Sequence, residues 1–309
     1  MKTRDWFKFR DPERTWFYPL VKNKSEDGRT ADRFLTAASI DGRVRHIDRE
    51  WLPFLEKDLG VLTLYEYGLF NAHASAVKDS LSDFVKTWVA IAAFHKDDAA
   101  QMVQYERVFL SKQVSGFSAG MEAAQDVWMK SPVYSAMRKA VEKLWGETYD
   151  WGEVVWASHA VLDPIIGQFM RREFWQAIAP SYGDSLTPWM LNQACVYHQS
   201  TKLGAREFFG SCLVNDPDFG ALNTAIITSW TQKWLPLAIE GLKGFLGIYE
   251  HLPQVKDRFA TKEAVEAAVG RVISDWTEDF ASIPGYSVSA GELIAAVMAG
   301  FPNAYWKVL

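Results

Sequence analysis

Residues 61–128 decide how the rest of the chain is organised, and they read VLTLYEYGLFNAHASAVKDSLSDFVKTWVAIAAFHKDDAAQMVQYERVFLSKQVSGFSAGMEAAQDVW. Their apolar residues recur at the three- and four-residue spacing of amphipathic helices, in two long segments, 62–94 and 95–128. Glu66 and His73 share one face of the first segment. Polar residues open the second: His95, Asp97, Asp98 and Gln101. The stretch therefore predicts a pair of long helices of the kind that can hold a metal ion inside a bundle.

The composition indicates a large core and excludes several classes of protein. The 309 residues are 49% hydrophobic and include 14 Trp, 19 Phe and 11 Tyr. A net charge of −5 without a basic stripe argues against a nucleic acid partner. Two cysteines, Cys195 and Cys212, argue against a disulfide framework and fit a reducing compartment. The charged N-terminus and the lack of an apolar run of ~20 residues lead us to expect a soluble, cytoplasmic protein without a membrane partner.

The first 45 residues differ from the rest because their aromatic residues follow no helical period. We interpret residues 1–45 as an extended arm and residues 46–309 as a single helical domain. Rings on so short an arm cannot bury one another, so they lie either across their own domain or across another subunit. The number of rings on so little regular structure favours the second alternative. The candidates for this subunit interface are Trp6, Phe7, Trp16, Phe17 and Tyr18.

Helical periodicity continues almost without a break after residue 46, and we find no alternation typical of strands. Pro132 fits the first turn of a helix. Residues 151–179 predict a long apolar helix that Pro164 should kink or divide. Further helices are predicted over residues 222–248 and 290–299, followed by a loose aromatic tail with Tyr305 and Trp306. The chain is therefore predicted to be all-α, as a long helical bundle with additional helices.

A carboxylate-bridged metal site is the first chemistry that such a bundle suggests. Di-iron sites in bundles use Glu-x-x-His pairs, because residues three apart project from the same face of a helix. None of the six histidines has an acidic residue three or four positions before it. The residues three positions earlier are Arg43, Phe70, Ala92, Trp156, Cys195 and Ile248.

An unusual metal site stays open as an alternative. Acidic residues follow two of the histidines, as in His95 with Asp98 and His159 with Asp163. Together with Glu66 these residues are the fallback metal candidates, and His73 and His198 could add to them. The competing interpretation is that these side chains are polar groups that hydrogen-bond one another in a core or an interface.

The segment Gly116-Phe117-Ser118-Ala119-Gly120 formally matches the G-x-S-x-G motif of a serine hydrolase. A nucleophile elbow needs a strand, a sharp turn and a helix, whereas the flanks of this motif have helical periodicity. The hydrolase reading with Ser118 as nucleophile is therefore weak. A simpler reading is that two small residues four apart let two helices approach closely.

Several short motifs, in their order and spacing, resemble one family over residues 45–245. They are Trp51-Leu52-Pro53-Phe54, Tyr65-Glu66-Tyr67-Gly68-Leu69, Phe94-His95-Lys96-Asp97-Asp98, Asp150-Trp151, Asp163-Pro164, Gly183-Asp184 with Thr187-Pro188, and Trp234-Leu235-Pro236. This order is similar to that of the hydroxylase β subunit of soluble bacterial di-iron monooxygenases, which act on methane, alkenes, propane, phenol or toluene.

The resemblance implies a ferritin-like fold that is shared with the catalytic α subunit of the family. In the α subunit the iron ligands come as a Glu followed about thirty residues later by Glu-x-x-His. Glu66 matches the first Glu, but the later position reads Asp97-Asp98-Ala99-Ala100-Gln101 and has no His. The family's β subunits also lack the irons. The resemblance therefore implies neither catalytic residues nor metal ligands in this chain, and it places the di-iron centre in the α subunit.

The resemblance also implies the partners of the chain. They are a catalytic α subunit and a second β subunit in an α2β2 or α2β2γ2 assembly, a small effector protein, and an NADH-linked reductase or ferredoxin. The resulting hypothesis is a non-catalytic subunit that supports and dimerises the α subunit of an NADH-dependent monooxygenase, which oxygenates an alkane, alkene or aromatic hydrocarbon with O2. The alternative is a free-standing ferritin-like metalloenzyme that uses the His and Asp candidates.

Overall fold

The chain is helical throughout the part that a computed structural model describes, residues 1–253 and 260–302, and no strand occurs in these ranges. The all-α prediction is confirmed. The helices are α1 (Phe17–Ile40), α2 (Leu52–Phe54, π-helical Leu55–Leu59 and Gly60–Asp79), α3 (Asp83–Gln113), α4 (Glu122–Lys130), α5 (Pro132–Gly146), α6 (Trp151–Trp156, π-helical Ala157–Gly167 and Phe169–Trp175, and Gln176–Ile178), α7 (Leu186–Ala205 and π-helical Arg206–Val214), α8 (Gly220–Phe245), α9 (Lys262–Trp276 and π-helical Thr277–Ala281) and α10 (Ala290–Met298).

Four of these helices form the central bundle. The hairpin of α2 and α3 is its most extensive contact, α7 packs against α3, and α6 packs against α2 and α7. Helices α5 and α8 cover the outer side of α2 and α6. Buried aliphatic and aromatic side chains run through the whole arrangement as one core.

The hairpin turn lies further towards the N-terminus than the sequence predicts. The turn is at residues 80–82, where the Ser82 hydroxyl accepts a hydrogen bond from Val85 N and caps α3. The predicted break between Phe94 and His95 is wrong, because both residues lie in the middle of α3. Apolar residues continue on both sides of the short Ser80–Ser82 turn, so the periodicity hides it.

Helix α6 is as long as predicted and is not divided at Pro164. Asp150 caps its start by accepting hydrogen bonds from Gly152 N and Glu153 N. The helix widens into a π-helical stretch over Ala157–Gly167, in which all 11 residues are buried. A π-helical turn changes the backbone register and so accommodates the missing N–H of Pro164 without ending the helix.

The N-terminal region is not an extended arm over its full length. Residues Phe17–Ile40 form α1, so the prediction of an extended conformation is wrong for them. The helix buries a stripe of Ala31, Leu35 and Ala38 at helical spacing, which the many charged residues around it obscure in the sequence. The division of the chain at residue 45 stays a prediction.

Lys2, Trp6 and Phe9, which lie before α1, pack on their own domain. Phe9 is buried, and its ring lies 5.4 Å from that of Trp88. Lys2 N donates to Asn223 Oδ1, and the Trp6 ring lies 6.0 Å from that of Trp151. For these residues, the alternative that the arm lies across its own domain therefore holds.

The last predicted helix is present as α10, whereas Tyr305 and Trp306 lie outside the described residues. None of the helices in residues 1–253 and 260–302 has the length and apolar character needed to cross a bilayer.

The motifs around Trp51 and Asp184 meet at a buried hydrogen-bond network. Trp51 stacks on Tyr182 with centroids 4.4 Å apart, and its Nε1–H donates to Asp184 Oδ2 at 3.1 Å. The Thr187 hydroxyl lies 2.6 Å from Asp184 Oδ2 and 2.7 Å from Glu106 Oε1. Because that hydroxyl has one proton, one of the two carboxyl groups must be protonated to satisfy both contacts. Asp184 also accepts from Trp51, Leu186 N and Thr187 N, so the proton is assigned to Glu106.

Burial, reinforced by the nearby charge of Asp184, raises the pKa of Glu106 well above its usual value. A raised pKa in the folded state stabilises the fold below the unfolded pKa and loses this contribution as the pH rises through the folded pKa. The proton on Glu106 therefore links α3 to the start of α7 most effectively at low pH.

We predict that Glu106→Gln keeps the hydrogen bond to Thr187 and removes the titration. Its free energy of unfolding should match that of the wild type near pH 4, below the ordinary pKa of Glu, and exceed it by on the order of 1–3 kcal/mol at pH 8. Urea unfolding at both pH values measures this, with the exposed Glu142→Gln as control. A difference that is constant with pH would contradict a protonated Glu106.

Candidate functional site

A cluster of ionisable side chains lies in the middle of the bundle and draws on all four of its helices. Glu66 comes from α2, Lys96 from α3, Asp163 and Arg171 from α6, and His198 from α7. All five residues are buried, with exposed fractions between 0 and 5%. We refer to these five residues as the charge cluster.

Two cations bridge two carboxylates in the charge cluster. Lys96 Nζ lies 3.0 Å from Glu66 Oε2 and 2.7 Å from Asp163 Oδ1. Arg171 contacts Glu66 Oε1 through Nη1 and lies 2.9 Å from Asp163 Oδ1 through Nη2. His198 Nδ1 lies 2.9 Å from Asp163 Oδ2. The formal charges of the four ionised groups therefore sum to zero, as burial away from water requires.

The pKa values agree with this distribution of charge. Burial alone would raise the pKa of Asp163, but Arg171 and Lys96 outweigh it and hold that pKa well below its usual value. Burial opposes the charge of Arg171 too, yet Asp163 and Glu66 raise the pKa of its guanidinium. Burial lowers the pKa of His198 despite its contact with Asp163, so the ring is neutral near pH 7 and its Nδ1–H donates to the carboxylate.

Gly167 makes the contact between Asp163 and Arg171 geometrically possible. The three residues are spaced four apart on α6. A Cβ atom at Gly167 would lie 2.1 Å from Asp163 Oδ1 and 3.0 Å from Arg171 Nη1. A side chain at this position would therefore displace the ion pair, so the glycine is required by close approach.

A second layer of buried histidines lies next to the charge cluster. The rings of His73 and His159 have centroids 4.2 Å apart. His73 Nδ1 contacts Leu69 O at 2.7 Å, whereas His73 Nε2 and both ring nitrogens of His159 have no hydrogen-bond partner among the described residues. Burial lowers the pKa of His73 to about 4 and that of His159 well below its usual value. Both rings are therefore neutral near pH 7.

His95 and Asp98, two of the predicted metal candidates, belong to a different group that fastens α1 to the bundle. The His95 ring stacks on Tyr197 with centroids 4.3 Å apart. Asp98 Oδ2 accepts from Tyr197 at 2.6 Å and from Lys24 of α1 at 3.0 Å. Lys24 Nζ also lies 3.3 Å from the centre of the Tyr197 ring. Burial lowers the pKa of Lys24 to about 8, although Asp98 opposes the shift.

The fallback metal candidates therefore do not assemble into one site. Glu66 and Asp163 come together, but an ammonium and a guanidinium already occupy their oxygens, while His159 contacts His73 instead. Among the described residues, no group of three or more His, Cys, Asp or Glu side chains has an arrangement that could hold a metal ion. The residues as they stand do not fit the di-iron centre that this type of bundle suggests, and no reaction step can be derived from them.

The G-x-S-x-G segment also lacks the geometry of a nucleophile elbow. Residues Gly116–Gly120 form an irregular loop between α3 and α4, not the helix that the sequence predicts. Gly116 has a positive φ of 86°, Ser118 is exposed, and its hydroxyl accepts from Gly120 N at 3.1 Å. With no strand in the described part of the chain, the motif has no scaffold for a hydrolase.

Sequence reasoning missed the residues that neutralise the carboxylates. The motif Phe94-His95-Lys96-Asp97-Asp98 contains Lys96 but gives it no role, and Arg171 and Gly167 belong to none of the sequence motifs. The spacing Asp163, Gly167, Arg171 on one face of an apolar helix is the signal that could have found them, since an arginine inside such a helix needs a buried carboxylate.

The outer face of α1 and α3 carries an exposed aromatic patch, which we define as Trp16, Phe17, Tyr18, Val21 and Phe94. Trp16 is 60% and Tyr18 77% exposed. Phe17 and Phe94 contact each other edge to face with centroids 6.3 Å apart. A groove of about 230 Å³ opens beside them. Of the predicted interface residues, Phe7 is also exposed, whereas Trp6 is half-buried against its own domain.

We predict that His159→Phe weakens the dependence of stability on pH. A histidine whose folded pKa is depressed stabilises the fold above its unfolded pKa, and this contribution is lost as the pH falls towards the folded pKa. Below about pH 6.5 the wild type should lose about 1.4 kcal/mol per pH unit more than the variant. Urea unfolding between pH 7.5 and pH 5 measures this, with the exposed His46→Phe as control. Parallel profiles for wild type and His159→Phe would refute the prediction.

Comparison with known proteins gives a consistent result. The Methane/Phenol/Alkene Hydroxylase family matches residues 1–216. The methane monooxygenase component A beta chain of Methylococcus capsulatus is 42% identical over 301 residues, which are 97% of this chain and 77% of that protein. The beta chain of Methylosinus trichosporium is 41% identical over 98% of this chain and 77% of its own. The propane 2-monooxygenase hydroxylase small subunit of Mycolicibacterium smegmatis is 28% identical over 77% of this chain and 64% of its own.

Solved structures support the expected ferritin-like fold. Toluene 4-monooxygenase hydroxylase matches with a TM-score of 0.73 at 18% identity, over 80% of this chain and 79% of the other. Phenol hydroxylase from Pseudomonas sp. OX1 matches with a TM-score of 0.72 at 16% identity, over 89% of this chain and 79% of the other. These two likenesses concern the fold, whereas the identity to the beta chains extends over almost the whole sequence. The chain is a member of the methane, phenol and alkene hydroxylase family.

Proposed function

We propose that this chain is the non-catalytic β subunit of the hydroxylase component of a bacterial di-iron monooxygenase. Its role is to support and dimerise a catalytic α subunit, which contains the di-iron centre and oxygenates a hydrocarbon with O2. The single observation that carries the proposal is the 42% identity to a methane monooxygenase beta chain over 97% of this chain.

The charge cluster supports a structural role over a catalytic one. Glu66 and Asp163 are carboxylates of the kind that bind iron in bundles, but each is neutralised by Lys96 and Arg171. All these side chains are buried, so the cluster has no open face towards a substrate. A bundle centre closed by ion pairs can transmit rigidity to a neighbouring subunit but has no group free for redox chemistry.

The remaining components of the system follow from the type of enzyme. Electrons from NADH reach the α subunit through a reductase or ferredoxin, and a small effector protein controls the reaction. The assembly is α2β2 or α2β2γ2. An alkane substrate is favoured over an aromatic one, because identity to the two methane monooxygenase beta chains is 41–42% and to the toluene-4-monooxygenase beta subunit of Ectopseudomonas mendocina 26% over 41% of this chain.

The aromatic patch is the surface that we assign to contact with the α subunit. Aromatic residues are enriched in the centres of subunit interfaces, and obligate interfaces bury about 2,000–5,000 Å² of mostly apolar surface. Trp16, Tyr18 and Val21 project from the start of α1 without burial by their own chain. A partner subunit would cover these side chains and exclude water from the groove beside Phe94.

Co-expression with a catalytic α chain of a di-iron monooxygenase from the same genome tests the proposal. We expect a stable hetero-oligomer by light scattering, with iron bound in proportion to the α chain and oxygenation of a short alkane when reductase and effector are added. A lone monomer that forms no complex with that α chain would refute the β-subunit assignment.

We predict that Trp16→Ser with Phe17→Ser weakens assembly at least about ten-fold, because truncating central aromatic residues typically costs 2 kcal/mol or more of binding free energy. The far-ultraviolet circular dichroism of the free chain should be unchanged. Analytical ultracentrifugation of the mixed subunits measures the association. Trp145→Ser on α5, where Trp145 is 55% exposed, is the matched control. Equal association of both variants would show that the aromatic patch is not an anchor.

A further inference from the structure

The ammonium group of Lys96 lies between two carboxylates from different helices. Glu66 on α2 and Asp163 on α6 each place one oxygen within 3.0 Å of Lys96 Nζ. These oxygens converge on a single point in the middle of the bundle, and the point is fully enclosed. A cation of some kind is therefore required there, because two converging carboxylates without one would repel each other in a medium of low dielectric constant.

Arg171 contacts the same two carboxylates but not the same pair of oxygens. Its guanidinium contacts Glu66 through Oε1, which Lys96 does not use, and shares Asp163 Oδ1 with Lys96. His198 holds the second oxygen of Asp163 from α7. Both carboxylates would thus keep their orientation if Lys96 were shortened, while one negative charge and the volume of a butylammonium chain would be left without a counterpart.

Unpartnered ring nitrogens occur in the histidine layer next to the charge cluster. His73 Nε2 and both ring nitrogens of His159 have no hydrogen-bond partner in the described part of the chain, and both residues are fully buried. The charge of Lys96 contributes to the lowered pKa of each, so both rings lie within its electrostatic reach. Carboxylate oxygens and neutral imidazole nitrogens are donor types that suit divalent first-row transition metals. With Lys96 in place, no three of these described side chains are arranged to hold one.

We propose that Lys96 keeps the middle of this bundle free of divalent metal ions, because its ammonium occupies the place that a metal ion would take between Glu66 and Asp163. Lys96 thus excludes metal ions in addition to forming ion pairs with the two carboxylates. This role of Lys96 depends only on side chains of this chain, so its test is independent of the assignment as a β subunit.

The test is the binding of Co²⁺ to the purified full-length chain at pH 7.5. Lys96→Ala should bind about one Co²⁺ per chain at micromolar concentrations, detected by the visible absorption of the bound ion and by a rise in Tm. The wild type should show neither signal. The double variant Lys96→Ala with Glu66→Gln should lose the response, which distinguishes the bundle centre from a surface site.

Lys96→Glu provides a second variant if Lys96→Ala does not fold without metal. It replaces the cation by a third carboxylate, so its stability should depend on Co²⁺ more strongly than that of any other variant. Binding by Lys96→Ala or a Co²⁺-dependent gain of stability by Lys96→Glu supports the proposal when Glu66→Gln abolishes it. Equal Co²⁺ binding by the wild type, or no response from either variant, overturns it.

Discussion

The ion pairs of Asp163 with Lys96 and Arg171 are the interaction on which the rest of the bundle depends. Removing such charges from water costs several kcal/mol per ion, and only close, multiple contacts recover that cost. Arg171 contacts Glu66 on α2, and Asp163 contacts Lys96 on α3 and His198 on α7, so the four central helices cannot shift against one another without exposing a buried charge. The arrangement requires a glycine at position 167, because any side chain there would separate Asp163 from Arg171.

The charge cluster joins the helices of the bundle as a metal site would, but its chemistry is different. A metal ion in a bundle joins helices through a few carboxylates and imidazoles. In this chain an ammonium and a guanidinium join the same kinds of ligand. Under the proposed function the chemistry belongs to another subunit, and the exposed aromatic patch on α1 and α3 provides apolar surface for that partner. A rigid core and an incompletely covered face are the features of a supporting subunit.

The sequence predicts the helices better than it predicts the site. Long apolar periodicity identifies α2, α3, α6 and α8, because a buried stripe repeats over many turns. It misplaces the turn at Ser80–Ser82, because a turn of only three residues leaves the apolar pattern unbroken. It also misses α1, because the buried stripe of this helix is narrow and lies among charged residues. The charge cluster is assembled from residues up to 132 positions apart, from Glu66 to His198, so only the packing of the helices brings Lys96 to Asp163. Motifs that looked unrelated in the sequence meet there and at Trp51 with Asp184.

The free energy of unfolding of Arg171→Met tests the central claim most directly. If the charge cluster holds the bundle together, this variant should lose about 3–5 kcal/mol at pH 7.5, because it leaves buried carboxylate charge uncompensated. Arg206→Met, which removes a half-exposed ion pair with Asp279, should lose less than about 1 kcal/mol. Equal or greater stability of Arg171→Met relative to the wild type would contradict the account.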